Sequence, residues 1–288
     1  MADKRYVLTV YTAAPGTPLY ENGALKLGAD GKPATSVPGH MYYVIDNGIS
    51  RDSYGFSPNE PGVARGPGGV KIDDERMYYR PLYARTMEIT KEQYEKLDEF
   101  GKGPEKFGFD KFYKDARNNC VDFVWAGLNH AGIKRTEISL WSGKREELDG
   151  KVNYFPAENR RSIRTIQDPV PNSPLNKEHS NPMPEMRWWQ RPLSEDAPRR
   201  HDLPGQPASI SVAQAGAAND DAFDKLFQAA VAGDDRAFSA TAQAYLQSAD
   251  GQALLQAGRD VNDQLVAAKA QELVLNHQVA PPQLSIRM

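Results

Sequence analysis

The order of one histidine and the only cysteine limits the folds open to this chain more than any other feature. His40 opens a β-prone run that ends at Asn47-Gly48. Asn-Gly between two β-prone runs is a strong hairpin signal, and the returning strand is predicted over 50–56. Cys120 comes later, where a loop turns into a helix. The sequence therefore predicts a histidine on a hairpin strand, followed along the chain by a cysteine on a helix.

Cys120 is predicted to lie in the first turn of an amphipathic helix. Asn118 and Asn119 before it are favourable N-cap residues. The apolar residues after it recur at helical spacing and form one face: Val121, Val124, Trp125 and Leu128. A helix N-terminus and a neighbouring imidazolium both stabilise a thiolate, which is the nucleophilic form of cysteine. Cys120 is therefore a candidate nucleophile, and His40 is the candidate general base.

Both residues also have ordinary structural explanations. Most single cysteines behave as small buried hydrophobes, and a lone histidine is more often a core or loop residue. Local motifs around one cysteine do not transfer between protein families. The surrounding order of strand, turn and helix favours the catalytic interpretation of Cys120 and His40.

Three short motifs, in this order, resemble those of circularly permuted NlpC/P60 (papain-like) cysteine hydrolases of the secreted bacterial effector type. They are Gly39-His40 before a strand, Tyr54-Gly55-Phe56-Ser57-Pro58 on the next strand and Asn119-Cys120-Val121-Asp122-Phe123 at a helix start. In that superfamily the papain core is rewired so that the histidine hairpin precedes the cysteine helix. The resemblance covers residues 1–165 and implies an α+β fold, with Cys120 as nucleophile, His40 as base and no metal or organic cofactor.

The resemblance also implies a third, polar residue that orients the histidine from the strand after the histidine strand. There the chain offers Tyr54 and Ser57, and Asn119 beside the thiol is a supporting candidate. Asp46 is a poor candidate, because six residues of strand place it about 20 Å from His40.

Composition limits the classes of function. The chain has 288 residues and a formal net charge of −3 at pH 7, with no basic run interleaved with aromatic residues, so nucleic-acid binding is not expected. One cysteine permits no internal disulfide, and no cysteine and histidine cluster has metal-ligand spacing. The remaining histidines are scattered and are predicted to be surface or capping residues: His130, His179, His201 and His277.

The N-terminus carries no signal-peptide pattern, and no stretch is apolar enough to span a bilayer. The sequence therefore predicts a chain made in the cytoplasm without a signal peptide. The resemblance implies that it is secreted by a dedicated machine, such as type VI secretion, and acts in the periplasm of a target cell.

Three segments are predicted from composition. Residues 1–168 form the permuted NlpC/P60-like catalytic domain, and residues 169–215 form an extended, proline-rich linker. Residues 216–288 form a small α-helical domain with helices predicted at 220–232, 235–248 and 251–275. So few residues make a marginal core. This domain is therefore expected to dock on the catalytic domain, on another copy or on a secretion or adaptor partner.

Three hypotheses for function follow. The first is a cysteine amidase or endopeptidase that cleaves peptidoglycan stem peptides as an antibacterial effector, with a cognate immunity protein as partner. The second keeps the pair Cys120 and His40 but changes the substrate to a lipid ester or a protein isopeptide bond. The third is a non-catalytic binding module of the same fold.

Overall fold

Runs of alternating apolar residues in the first half of the chain build one large antiparallel sheet. The computed structural model describes residues 4–28, 31–60, 63, 65–114, 118–138, 144–149, 155–186, 190, 225–226, 229, 234–248 and 252. Contacts divide the chain into two units, residues 1–197 with 227–234 and residues 198–226 with 235–288. The predicted α+β class is confirmed.

The main sheet contains seven strands. They are β1 (Tyr6–Ala13), β4 (His40–Asp46), β5 (Arg51–Pro58), β6 (Arg65–Lys71), β7 (Tyr83–Ile89), β8 (Phe112–Lys114) and β11 (Lys177–Ser180). Their spatial order is β11-β7-β1-β4-β5-β6-β8, and each neighbouring pair is antiparallel. Two small hairpins lie outside this sheet, β2 (Tyr20–Glu21) with β3 (Ala24–Leu25) and β9 (Arg135–Ile138) with β10 (Arg145–Leu148).

The helices of the first unit connect and cover these strands. They are α1 (Asp74–Met77), α2 (Lys91–Lys102), α3 (Cys120–His130) and α4 (Arg160–Arg164), with 3₁₀ turns at Pro104–Phe107 and Pro156–Asn159. The helix start predicted at Cys120 is confirmed, and Asn119 is its N-cap. Asn119 and Asp122 form a capping box, which satisfies N–H groups that the helix start would otherwise leave unpaired.

The predicted histidine hairpin is also confirmed. Strands β4 and β5 pair antiparallel around a turn at Asn47-Gly48. Gly48 has a φ of 80°, a conformation that glycine adopts without steric cost. The Asn47 side chain accepts hydrogen bonds from the backbone N–H groups of Ile49 and Ser50, at 3.0 and 3.1 Å.

The two faces of this hairpin have different roles. Successive side chains of a strand point to opposite faces of a sheet. Met41, Tyr43, Tyr54 and Phe56 belong to the hydrophobic core, together with buried side chains of α2 and α3. The opposite face begins with His40, so the packing of one face fixes the position of the residues on the other.

The first unit continues into the segment predicted as a linker. Strand β11 pairs with β7 and so covers an edge of the main sheet. Further on, Gln190 is buried, and its side-chain amide donates hydrogen bonds to the carbonyls of Ser36 and Val37, at 3.1 and 3.2 Å. All four residues of β11 are exposed, so the sequence of this strand lacks the apolar alternation that would have predicted it.

In the second unit, α5 (Asp235–Gln247) coincides with the middle one of the three predicted C-terminal helices. The other two, predicted at 220–232 and 251–275, lie almost wholly outside the described residues, as does most of the strand predicted at 151–155. Within the described part of the chain, no helix has the length and apolarity that a bilayer span requires.

The buried amide of Gln190 gives a prediction on stability. Gln190→Leu keeps a similar volume but removes both amide hydrogen bonds. The Ser36 carbonyl keeps a second donor in the Gly16 N–H, so the free energy of unfolding should fall by about 1 kcal/mol. Lys177→Ala, an exposed change on β11, should stay within about 0.5 kcal/mol of wild type. Urea denaturation of the three proteins measures this. Equal stability of the wild type and the leucine variant would show that residue 190 does not belong to the folded unit.

Candidate active site

His40 occupies the first position of β4, at the edge of the folded hairpin. Gly39 before it has a φ of 82°, and a Cβ atom there would lie only 2.5 Å from the carbonyl oxygen of Ala13. A residue other than glycine would therefore push this loop away from β1. The side chain of His40 is buried, with 4% of the residue exposed. The imidazole is thus held on a rigid strand rather than on a mobile loop.

Cys120 is the first residue of α3 and is also 4% exposed. Its thiol interacts with the His40 ring, whose pKa the charge and the hydrogen bond of Cys120 both raise. The Asn119 side chain accepts hydrogen bonds from the N–H groups of Val121 and Asp122, at 2.8 and 3.3 Å. Neither of these two hydrogen bonds uses the N–H of Cys120, which lies at the positive end of the helix dipole. The structure therefore brings the two residues predicted from the sequence together.

The residue that bonds the other side of the imidazole is Asp74, which the sequence did not indicate. His40 Nε2 lies 2.9 Å from Asp74 Oδ2, and Asp74 is 2% exposed. With Nε2 bonded to the carboxylate, Nδ1 is the ring nitrogen left for the thiol of Cys120. The three side chains form a series, Cys120, His40 and Asp74, here named the buried triad.

The three candidates for the orienting residue have other roles. The Tyr54 hydroxyl donates to Asp98 at 2.7 Å, on the core face of β5. The Ser57 hydroxyl donates a long hydrogen bond of 3.5 Å to the carbonyl of Pro58, and Asn119 caps α3. Asp74 begins α1, which follows β6, so the orienting group comes from a later element than the strand implied by the resemblance.

A glycine on β5 makes room for the carboxylate of Asp74. A Cβ atom at Gly55 would lie 1.8 Å from Asp74 Oδ2 and 2.9 Å from His40 Nε2. No side chain can occupy that position without displacing the carboxylate. Gly55 is part of the motif quoted from the sequence, and the structure gives it a physical role. It is the one signal in the sequence that marks the place where the acid approaches the histidine.

Opposing influences set the pKa of His40. Burial lowers it, whereas the charges of Asp74 and Cys120 and their hydrogen bonds to the ring raise it. The balance raises the pKa from its usual 6.5 to about 10. The imidazole is therefore protonated at neutral pH, and the carboxylate of Asp74 compensates the buried charge. An imidazolium beside a thiol stabilises the thiolate, which is the form that attacks an electrophile.

An aromatic ring covers the imidazole. Tyr78, which follows α1, stacks on His40 with ring centroids 4.7 Å apart and an interplanar angle of 17°. Tyr42 lies on the same side of the sheet, 5.8 Å from Tyr78. Burial, followed by the charges of Asp74 and Cys120, raises the pKa of Tyr78 well above its usual value, so its hydroxyl stays protonated. The electron-rich face of a tyrosine attracts a cation, which favours a charged imidazole beneath it.

The described residues hold no group of three or more histidine, cysteine, aspartate or glutamate side chains arranged to bind a metal ion. Comparisons of the chain with protein-family models, with curated proteins and with solved structures gave no match. The functional interpretation therefore depends on the chemistry of the site.

The space at Gly55 gives a prediction on thiol reactivity. Gly55→Ala should displace Asp74 from His40 and slow the alkylation of Cys120 by iodoacetamide at least about tenfold, because Cys120 then lacks a correctly held imidazolium beside it. Gly103→Ala is the matched control, since a Cβ atom there would meet only the flexible side chain of Lys106. Mass spectrometry of the labelled protein gives the rates. An unchanged rate in Gly55→Ala would contradict the assigned contact.

The raised pKa of His40 predicts how stability depends on pH. A histidine whose pKa is higher in the folded state stabilises the fold fully below its unfolded pKa, near 6.5, and loses this contribution as the pH rises through the folded value. A Cys120→Ala background removes the titration of the thiol. It also removes the share of Cys120 in the raised pKa, so that Asp74 alone raises it there. In that background the unfolding free energy should fall faster above about pH 6.5 with His40 present than with His40→Gln, by up to about 1.4 kcal/mol per pH unit.

Urea denaturation at several pH values measures both slopes. Parallel curves for the Cys120→Ala and the Cys120→Ala/His40→Gln proteins would show that the buried imidazole does not carry an extra proton in the folded state.

Proposed function

We propose that this protein is a cysteine hydrolase that cleaves amide bonds in peptidoglycan stem peptides. The observation that carries the proposal is the buried triad, in which one buried imidazole is hydrogen-bonded to a carboxylate and interacts with a buried thiol. A nucleophile beside a base that a third group orients is the arrangement of covalent hydrolases. Burying three titratable side chains together costs free energy, which a purely structural site would not require.

The mechanism follows from the geometry. The Cys120 sulfur attacks the amide carbonyl carbon, and the proton held by His40 passes to the leaving amine as the C–N bond breaks. The product is a thioester on Cys120. His40 then takes a proton from water, whose oxygen attacks the thioester carbonyl, and the thiolate leaves as the acid product forms. Asp74 holds Nε2 throughout, so that Nδ1 stays directed at the reacting groups.

The developing negative charge needs a donor close to the sulfur. The backbone N–H of Cys120 lies at the N-terminus of α3 and outside the hydrogen bonds of the Asn119 cap. Donors at a helix N-terminus stabilise an oxyanion in the transition state. The proposal therefore assigns this N–H to the carbonyl oxygen of the substrate, and it needs neither a metal ion nor an organic cofactor.

The proposed fold family is the circularly permuted NlpC/P60-like hydrolases. The histidine hairpin β4–β5 precedes the cysteine helix α3 along the chain, as in that superfamily. Peptidoglycan as substrate, delivery by a secretion system to a target periplasm and a cognate immunity protein are proposed on the same resemblance. The C-terminal segment would then serve delivery or docking.

The substrate is tested with purified sacculi. The wild-type protein should release new stem-peptide fragments, detected by mass spectrometry, whereas Cys120→Ala and His40→Ala should lower the release by at least about 10³-fold. Ser57→Ala is the matched control and should retain activity, because its hydroxyl bonds only the adjacent carbonyl in the described contacts. The melting temperature of each variant shows whether a loss of activity results from misfolding.

Release by Cys120→Ala at the wild-type rate would overturn the proposed nucleophile. If the wild-type protein releases nothing from sacculi but hydrolyses a lipid ester or an isopeptide-linked protein, the substrate proposal is wrong and the chemistry of the triad stands. If it hydrolyses none of these, the binding-module hypothesis replaces the enzyme.

A further inference from the structure

The helix that carries Asp74 cannot hold itself in place. Helix α1 is a single turn, Asp74–Met77, and its N-cap residue Asp73 makes no side-chain capping hydrogen bond. One helical turn gains too little from its own hydrogen bonds to be stable in water. The position of Asp74 relative to His40 must therefore be set by contacts between α1 and the sheet.

Several of those contacts come from one face of β5, and the Tyr11 hydroxyl of β1 adds a long hydrogen bond of 3.5 Å to Glu75. Arg51, Ser53 and Gly55 alternate along the strand and so share the face that looks towards α1. Gly55 provides the space for the Asp74 carboxylate. The Ser53 hydroxyl oxygen accepts a hydrogen bond from the backbone N–H of Glu75, at 3.4 Å.

The strongest contact on this face is between Arg51 and Glu75. Arg51 Nε lies 3.0 Å from both carboxylate oxygens of Glu75, and its Nη2 also donates to Oε1. Asp46, opposite Arg51 on β4, accepts a further hydrogen bond at 3.2 Å. An arginine with several donors on one carboxylate fixes orientation as well as distance. Glu75 is the neighbour of Asp74 along the chain, so fixing one carboxylate limits where the other can lie.

This ion pair is partly exposed, with 43% of the Arg51 side chain and 30% of the Glu75 side chain accessible. Pairs of this kind add little to overall stability. Its effect is therefore expected in the geometry of the site rather than in the melting temperature. The pair also places a cation next to Glu75, which would otherwise be an uncompensated negative charge beside Asp74.

We propose that Arg51 and Glu75 are positioning residues of the catalytic site, and that the β5 face formed by Arg51, Ser53 and Gly55 holds Asp74 against His40. The expected effect of Arg51 and Glu75 on turnover rests on the proposed function. The structural part, that Arg51 controls the contact between Asp74 and His40, is independent of the substrate.

The test compares five full-length proteins: wild type, Arg51→Met, Glu75→Gln, the charge exchange Arg51→Glu/Glu75→Arg, and Arg164→Met. Arg164 is the matched control, because it also forms a partly exposed ion pair between distant elements, with Glu178 at 3.1 Å. Two properties are measured on each protein. One is the protonation of His40 at about pH 8, from its ring nitrogen chemical shifts; the other is kcat and KM for the cleaved substrate.

Arg51→Met and Glu75→Gln should each reduce the protonated fraction of His40 and lower kcat about tenfold, with little change in KM or melting temperature. The charge exchange should recover part of both losses, and Arg164→Met should match wild type. Wild-type His40 protonation in Arg51→Met would overturn the inference. A fall in His40 protonation in a protein that cleaves no substrate would support the positioning role and reject the proposed function, so the two failures are distinguishable.

Discussion

The hydrogen bond between His40 and Asp74 is the interaction on which the rest of the site depends. Both side chains are almost completely buried, and a buried charge is tolerated only with a partner of opposite charge. The carboxylate keeps the imidazole protonated and directs its other nitrogen at Cys120. Without that contact, burial alone would favour a neutral histidine that lacks the proton needed for the leaving amine.

The β4–β5 hairpin explains how the fold supports this contact. One face of the hairpin carries large core side chains that pack under α2 and α3, and this packing fixes the strands. The other face carries His40 on β4 and the small residues Ser53 and Gly55 on β5, of which Gly55 leaves space for a carboxylate. Helix α3, which comes later in the sequence than the hairpin and α1, carries the thiol of Cys120. The reactive groups therefore come from three elements, and the hairpin contacts both α1 and α3.

Local patterns in the sequence predicted the two elements that carry His40 and Cys120. The turn Asn47-Gly48 predicted the hairpin, and the N-cap before Cys120 predicted the helix start; both are confirmed. Asp74 could not be predicted in this way, because it lies 34 residues from His40 and within an acidic run typical of a solvated helix start. Tyr54 lies next to Gly55 on β5, but successive side chains of a strand point to opposite faces. Tyr54 therefore points into the core, away from the face that carries His40.

The most direct test of the account is a pH titration of the His40 ring nitrogens by NMR, in wild type and in Asp74→Asn, with His40→Gln used to assign the signals. The wild-type imidazole should stay protonated through neutral pH and titrate near its raised pKa of about 10, and Asp74→Asn should shift the midpoint downward. A wild-type midpoint at or below the ordinary value of 6.5 would contradict it, because the buried triad would then lack the proton that the proposed hydrolysis requires.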